Sequence, residues 1–166
     1  MRRVHVAIVI ATLALGPAAA VAKGWQGVTP GHSTETEVAA RFGPPSTQGK
    51  LNGRQTLVYK GDQAIVGTRQ AQFFARDDGV VAEIIVFPTA QLDRETVEGT
   101  YGHPTQKAFT EDFRTVWIFK GSGITVYFGK DGQVDAISFK APDAREASHA
   151  APQPKAPTAH EAEATR

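Results

Sequence analysis

An α+β fold of two tandem units, each a helix plus a three-stranded antiparallel sheet, is predicted by three observations. First, an aromatic–Gly–x–Pro group recurs. Phe42, Gly43, Pro44 and Pro45 return as Tyr101, Gly102, His103 and Pro104, 59 residues on. Second, each copy closes a short capped helical pattern. Third, each copy is followed by three strand-like runs, the last two joined by an Asp-Gly turn.

The chain begins with a separate segment. "MRR" is a basic head, "VAIVIATLALG" a short apolar run, and Ala20 and Ala22 fit an A-x-A cleavage site before Lys23. That layout predicts a secretory signal peptide over residues 1–22. The alternative is an uncleaved membrane anchor, against which the run is short. Cleavage would leave no transmembrane segment. No cysteine follows the run, so lipid attachment at a mature N-terminal Cys is excluded.

The first unit spans residues 23–88. Ser33 or Thr34 can cap its helix, with Glu37 completing a capping box. Val38 and Phe42 share a face at i, i+4. Gly43 and the two prolines stop the helix. "QTLVYK", "QAQFFAR" and "VVAEIIVF" then read as strands, with "RDDGV" as the turn before the last.

The second unit spans residues 89–140. Asp93 caps, Val97 and Tyr101 repeat the apolar pair, and Gly102 and Pro104 repeat the stop. "RTVWIFK", "GITVYFGK" and "QVDAISFK" are its strands, with "KDGQV" as the turn. Tyr59 corresponds to Phe119, and Phe74 to Tyr127. The order of signals agrees across both halves, which is why duplication is preferred over one α+β domain with chance similarity. Residues 141–166 hold no Val, Leu, Ile or aromatic residue and are rich in Ala and Pro. They cannot bury enough apolar area to fold, and read as a disordered tail.

Composition excludes several function classes. There is no cysteine among 166 residues, so disulfide scaffolds, Cys-ligated zinc and thiol catalysis are out. The formal charge is +1, from 18 basic and 17 acidic residues. Losing Arg2 and Arg3 with the leader leaves 16 against 17, or −1. A nucleic-acid partner is therefore not expected. None of the 5 histidines has H-x-x-x-H or H-E-x-x-H spacing, and no serine sits in G-x-S-x-G. No catalytic, cofactor-binding or metal-binding residue is assigned.

Two units can join edge to edge or fold helix against sheet. Either leaves one sheet face without helices, and that face is the natural binding surface. The candidate interaction residues are Trp25, Phe73, Trp117 and Tyr127. For Trp25, packing under the first helix competes with exposure as a hot spot. For the others, a one-residue change of register decides which face they occupy. Glu83 interrupts "VVAEIIV" and by alternation points with Val81 and Ile85. It faces water or pairs with a cation, or else, buried with a raised pKa, it serves a small hydrolase.

The stretch "GVTPGHSTETEVAARFGPPS" resembles the opening of the SmpA/OmlA (BamE-like) family of small outer-membrane assembly lipoproteins. Gly31, Ser33 or Thr34, Glu37 and Val38, then Phe42 through Pro45, carry the likeness, and "DDGVVAEIIVF" fits a later strand. The doubled arrangement resembles the beta-lactamase inhibitory proteins, though this chain lacks their paired cysteines as well as the lipid-bearing one. The resemblance implies an exported, non-enzymatic, periplasmic or secreted protein that works by contact with a protein partner in the cell envelope. A secreted enzyme inhibitor is the alternative function it implies.

Overall fold

The computed structural model describes residues 22–141. The signal-peptide reading (but for Ala22) and the tail reading (but for Ala141) lie outside the described residues. Thr34 caps α1 (Glu35–Phe42): its side chain accepts from the Glu37 amide, and the Glu37 carboxylate accepts from the Thr34 amide. Asp93 caps α2 (Arg94–Tyr101) by accepting from the Thr96 amide at 2.8 Å. Both helices end on a glycine in nearly the same conformation, Gly43 at φ 80, ψ −168 and Gly102 at φ 78, ψ −164. Only glycine reaches that region without strain. The recurrent Gly-x-Pro stop is thus one backbone solution used twice.

The strands are β1 (Thr47–Leu51), β2 (Arg54–Lys60), β3 (Thr68–Ala75), β4 (Val81–Pro88), β5 (Gln106–Phe109), β6 (Thr115–Phe119), β7 (Ile124–Phe128) and β8 (Val134–Lys140). They form one antiparallel sheet in the order β1-β2-β3-β4-β8-β7-β6-β5.

This overturns the expectation of two tandem helix-plus-three-stranded units. The described residues fold as a single eight-stranded sheet with two helices, its halves joined where β4 pairs with β8. Two physical reasons explain the difference. The additional strands β1 and β5 are the sheet's edges, where neither face is deeply covered, so they carry no apolar alternation: all five residues of β1 are exposed. Second, β4 and β8 join through four paired positions, Glu83–Lys140 to Val86–Ile137. Backbone hydrogen bonds make that seam, and they leave no signature in side-chain composition.

Cross-strand partners share a face of the sheet. One row runs Leu57, Phe73, Ile84, Phe139, Ile124, Phe119; the next runs Tyr59, Ala71, Val86, Ile137, Val126, Trp117. All twelve are buried and belong to one core with Val38 of α1 and Val97 of α2. Both helices therefore cover the same face. Burying large aromatic and aliphatic side chains there contributes roughly 1.5–3 kcal/mol each.

Residues 22–33 cross this helix-covered side and tie the two halves together. The Lys23 amide donates to the Ser122 carbonyl at 3.3 Å, and the Lys23 ammonium lies over the Tyr101 ring. Trp25 then reaches the first half, 6.1 Å from both Phe42 and Phe73. Val28 is buried, and the Gly31 amide donates to the Val81 carbonyl at 2.7 Å.

Candidate interaction face

The face opposite the helices is built from the alternate positions of the same strands. Across it runs the row Val58, Gln72, Ile85, Ser138, Thr125, Ile118. Val58, Ile85, Thr125 and Ile118 are half-buried, while Ser138 at the centre is fully buried. A second row holds Thr56, Phe74, Glu83 and Lys140. Tyr127 stands opposite Val116 on one side and Ala136 on the other, and is half-buried. Phe74 and Tyr127, matched in the sequence, occupy this face in the two halves.

The candidate aromatics divide between the two faces. Phe73 is fully buried and Trp117 is 5% exposed, both in the core under the helices. The Trp117 ring packs 5.0 Å from Phe128, with the Lys107 ammonium over it. Neither side chain is presented to a partner. Trp25 is packed against the core between Phe42 and Phe73. Tyr127 alone of the four lies on the helix-free face.

Glu83 also lies on this face, with Ile85 but without Val81. A register shift between Phe74 and Ala75 skips Ala82, so that Val81 joins the core. A matching shift in the second half skips Asp135. Glu83 is 7% exposed, and both its oxygens are engaged. Oε2 accepts from Arg54 at 2.8 Å; Oε1 accepts from the Ser138 hydroxyl at 2.8 Å and lies 3.2 Å from the Lys140 ammonium. Burial pushes its pKa up, but the Arg54 and Ser138 hydrogen bonds and the Lys140 charge outweigh it, and the carboxyl titrates below its ordinary 4.5. A carboxylate held ionised and saturated with donors is a poor general acid, which removes the physical reason for the hydrolase reading.

Arg54 lies over the Phe74 ring, 4.7 Å from its centroid, so this cation is anchored by the ring as well as by Glu83. The Arg54 and Lys140 side chains remain 42% and 55% exposed. Exposed Lys60 stands on the same face, in register with Gln70 and Phe87. The ionic side chains that the strand register places here are thus Arg54, Lys60, Lys140 and the submerged Glu83.

Sequence reasoning missed two other exposed aromatics. Phe109 and Phe113 are 73% and 87% exposed, at and after the end of β5. Phe113 has φ 60, and the turn around it is fastened by Thr110, which accepts from the Arg114 amide and donates to Asp112. Two positions before Phe109 in its strand stands Lys107, so alternation does not flag it. Nearby, a groove of about 820 Å³ is lined by Arg69, Asp112, Arg114 and Asp135 among others. These four pair with one another: Asp135 bridges Arg69 at 3.2 Å and Arg114 at 3.1 Å, and Arg114 meets Asp112 at 2.8 Å. Among the described residues, no group of three or more His, Asp or Glu side chains is placed to hold a metal ion. No described helix is long and apolar enough to cross a membrane.

No protein-family model matches this chain, and no curated protein does. Among solved structures, one shares its fold and two others align more loosely. A DUF4309 family protein (YjgB) from Bacillus subtilis is similar, with a TM-score of 0.53 at 20% identity over 70% of this chain and 83% of that one. An extracellular protein containing an SCP domain from Bacillus anthracis aligns at TM-score 0.48 and 12% identity, over 81% of this chain and 50% of that one. A cysteine-rich secretory protein from Staphylococcus aureus aligns at TM-score 0.42 and 8% identity, over 66% and 42%. At such identities the likeness to the DUF4309 protein concerns the fold.

Proposed function

We propose that this chain is a non-enzymatic, exported protein–protein interaction module of the bacterial cell envelope, working through the helix-free face of its sheet. The observation that supports this reading most is the division of labour between the two faces. Both helices and residues 22–33 cover one side, leaving Val58, Ile85, Ile118 and Tyr127 half-exposed on the other. Sheet faces with that mixture of apolar and polar groups are suited to docking a folded partner. The leader expected over residues 1–22 and the resemblance to SmpA/OmlA proteins support the envelope setting, in the periplasm or outside the cell. The inhibitor alternative loses Trp117 as an exposed anchor and keeps Tyr127.

Site-specific photo-crosslinking in a bacterial host tests the reading. A photoreactive phenylalanine analogue at Tyr127 should give one discrete protein adduct. The same analogue at Thr36, on the exposed side of α1, should not. Adducts at Thr36 with none at Tyr127 would place the contact on the wrong side of the molecule.

A further inference from the structure

The charge pattern of the helix-free face specifies what kind of partner it takes, resting on the interaction reading above. We infer that this face is a receptor for an acidic protein surface, and that Arg54 and Lys140 form a clamp for one partner carboxylate. Four features support this. The register places three cations on the face, Arg54, Lys60 and Lys140, and one carboxylate, Glu83. Glu83 is 7% exposed, so a partner meets the cations and not the acid that holds Arg54 and Lys140.

The geometry of the clamp is the second feature. Glu83 holds one cation on each oxygen, Arg54 at 2.8 Å and Lys140 at 3.2 Å. Each cation spends only part of its donor set there. A guanidinium carries five N–H groups and an ammonium three, and both side chains are about half exposed. Because both are held by the one Glu83 carboxylate, their exposed parts flank the same spot on the face.

The third feature is preorganisation. Arg54 is fixed by Glu83 and by the Phe74 ring beneath it, so the rotamer entropy that binding would remove is already spent. The fourth is the apolar surface beside the clamp: Ile85 and Val58 offer an anchor next to the charges, which is the layout of an interface centre with a charged rim. By contrast, the groove near Asp135 offers no such bias, since its arginines are neutralised by Asp112 and Asp135.

The test is an NMR titration of the full chain, isotopically labelled, with two short peptides: one alternating Glu with Tyr, one alternating Lys with Tyr. The Glu peptide should shift the signals of Arg54, Phe74, Ile85 and Lys140, in a way that fades with added salt. The Lys peptide should not. Lys60→Glu leaves the Glu83 network untouched and should weaken the Glu peptide several-fold; Arg54→Gln with Lys140→Gln and Glu83→Gln, which keeps the cluster free of a buried lone charge, should weaken it about tenfold or more. Equal response to both peptides, or indifference to these substitutions, overturns the inference. So does binding to phosphatidylglycerol vesicles through the same residues with no response to the Glu peptide. If Tyr127 captures a partner in cells while the Glu peptide leaves the spectra unchanged, the acidic chemistry falls and the interaction reading stands. If both fail, both fall.

Discussion

Replacing Glu83 probes the seam between the two halves of the sheet, because its carboxylate on β4 is bonded to Ser138 and Lys140 on β8. The magnitude follows from its partners. Hydrogen bonds to charged groups contribute roughly 1.5–3 kcal/mol when buried. Arg54 and Lys140 are 42% and 55% exposed, so water recovers most of their loss, leaving about 0.5 kcal/mol each. Ser138 is fully buried and in Glu83→Ala loses its acceptor, at about 1–3 kcal/mol. Glu83→Ala should therefore cost about 3 kcal/mol. Glu83→Gln, whose amide oxygen still accepts from Ser138, should cost about 1 kcal/mol. The pH dependence carries a definite sign. The folded-state pKa is depressed, so the stabilisation is present above the ordinary 4.5 and is lost as pH falls through the folded value. Urea unfolding of the wild type and Glu83→Gln at neutral pH and at about pH 3 measures this. The two curves should draw together in acid. A difference unchanged by pH, or a Glu83→Ala cost under about 0.5 kcal/mol, would refute the reasoning.

The matched helix stops make a paired prediction. Gly43→Ala and Gly102→Ala meet no atom within 4 Å, so each cost is backbone strain alone, about 1–3 kcal/mol and similar at both sites by urea midpoint. Thr34→Ala should cost about 1 kcal/mol through loss of the capping box, seen in the same assay. Trp25→Ala removes the ring packed on Phe42 and Phe73 and should cost about 3 kcal/mol in thermal or urea unfolding. Phe113→Gly relieves a left-handed backbone at an 87% exposed side chain, and should stabilise by about 0.5 kcal/mol; destabilisation by more than that would mean the ring packs on something.

Much of the local structure was legible. Thr34 with Glu37, Asp93 with Thr96, and Gly43 and Gly102 fixed both helices, because caps are written in a few residues of fixed spacing. The Asp-Gly turns fixed the β3–β4 and β7–β8 hairpins, where Gly79 and Gly132 take positive φ. β1 went unread because TQGKL has no apolar alternation, its one large apolar residue being Leu51 at the end, yet a signal was there: Asn52 and Gly53 take φ 51 and φ 78 in a tight hairpin turn. β5, with QKAF, had no such mark. The faces of Phe73, Trp117 and Tyr127 depended on a register that alternation alone leaves open, and Val81 departed from alternation at the bulge past Ala82. The Arg54–Glu83–Lys140 cluster spans three strands and 86 positions of sequence, so only the sheet order assembles it.

Lysine footprinting in the native envelope tests the central claim most directly. Acetylation of intact cells is compared with acetylation of the purified chain, reading Lys60 and Lys140 against Lys130. Selective protection of Lys60 and Lys140 in cells is the predicted result. Equal reactivity of all three in both settings would contradict a partner seated on the helix-free face.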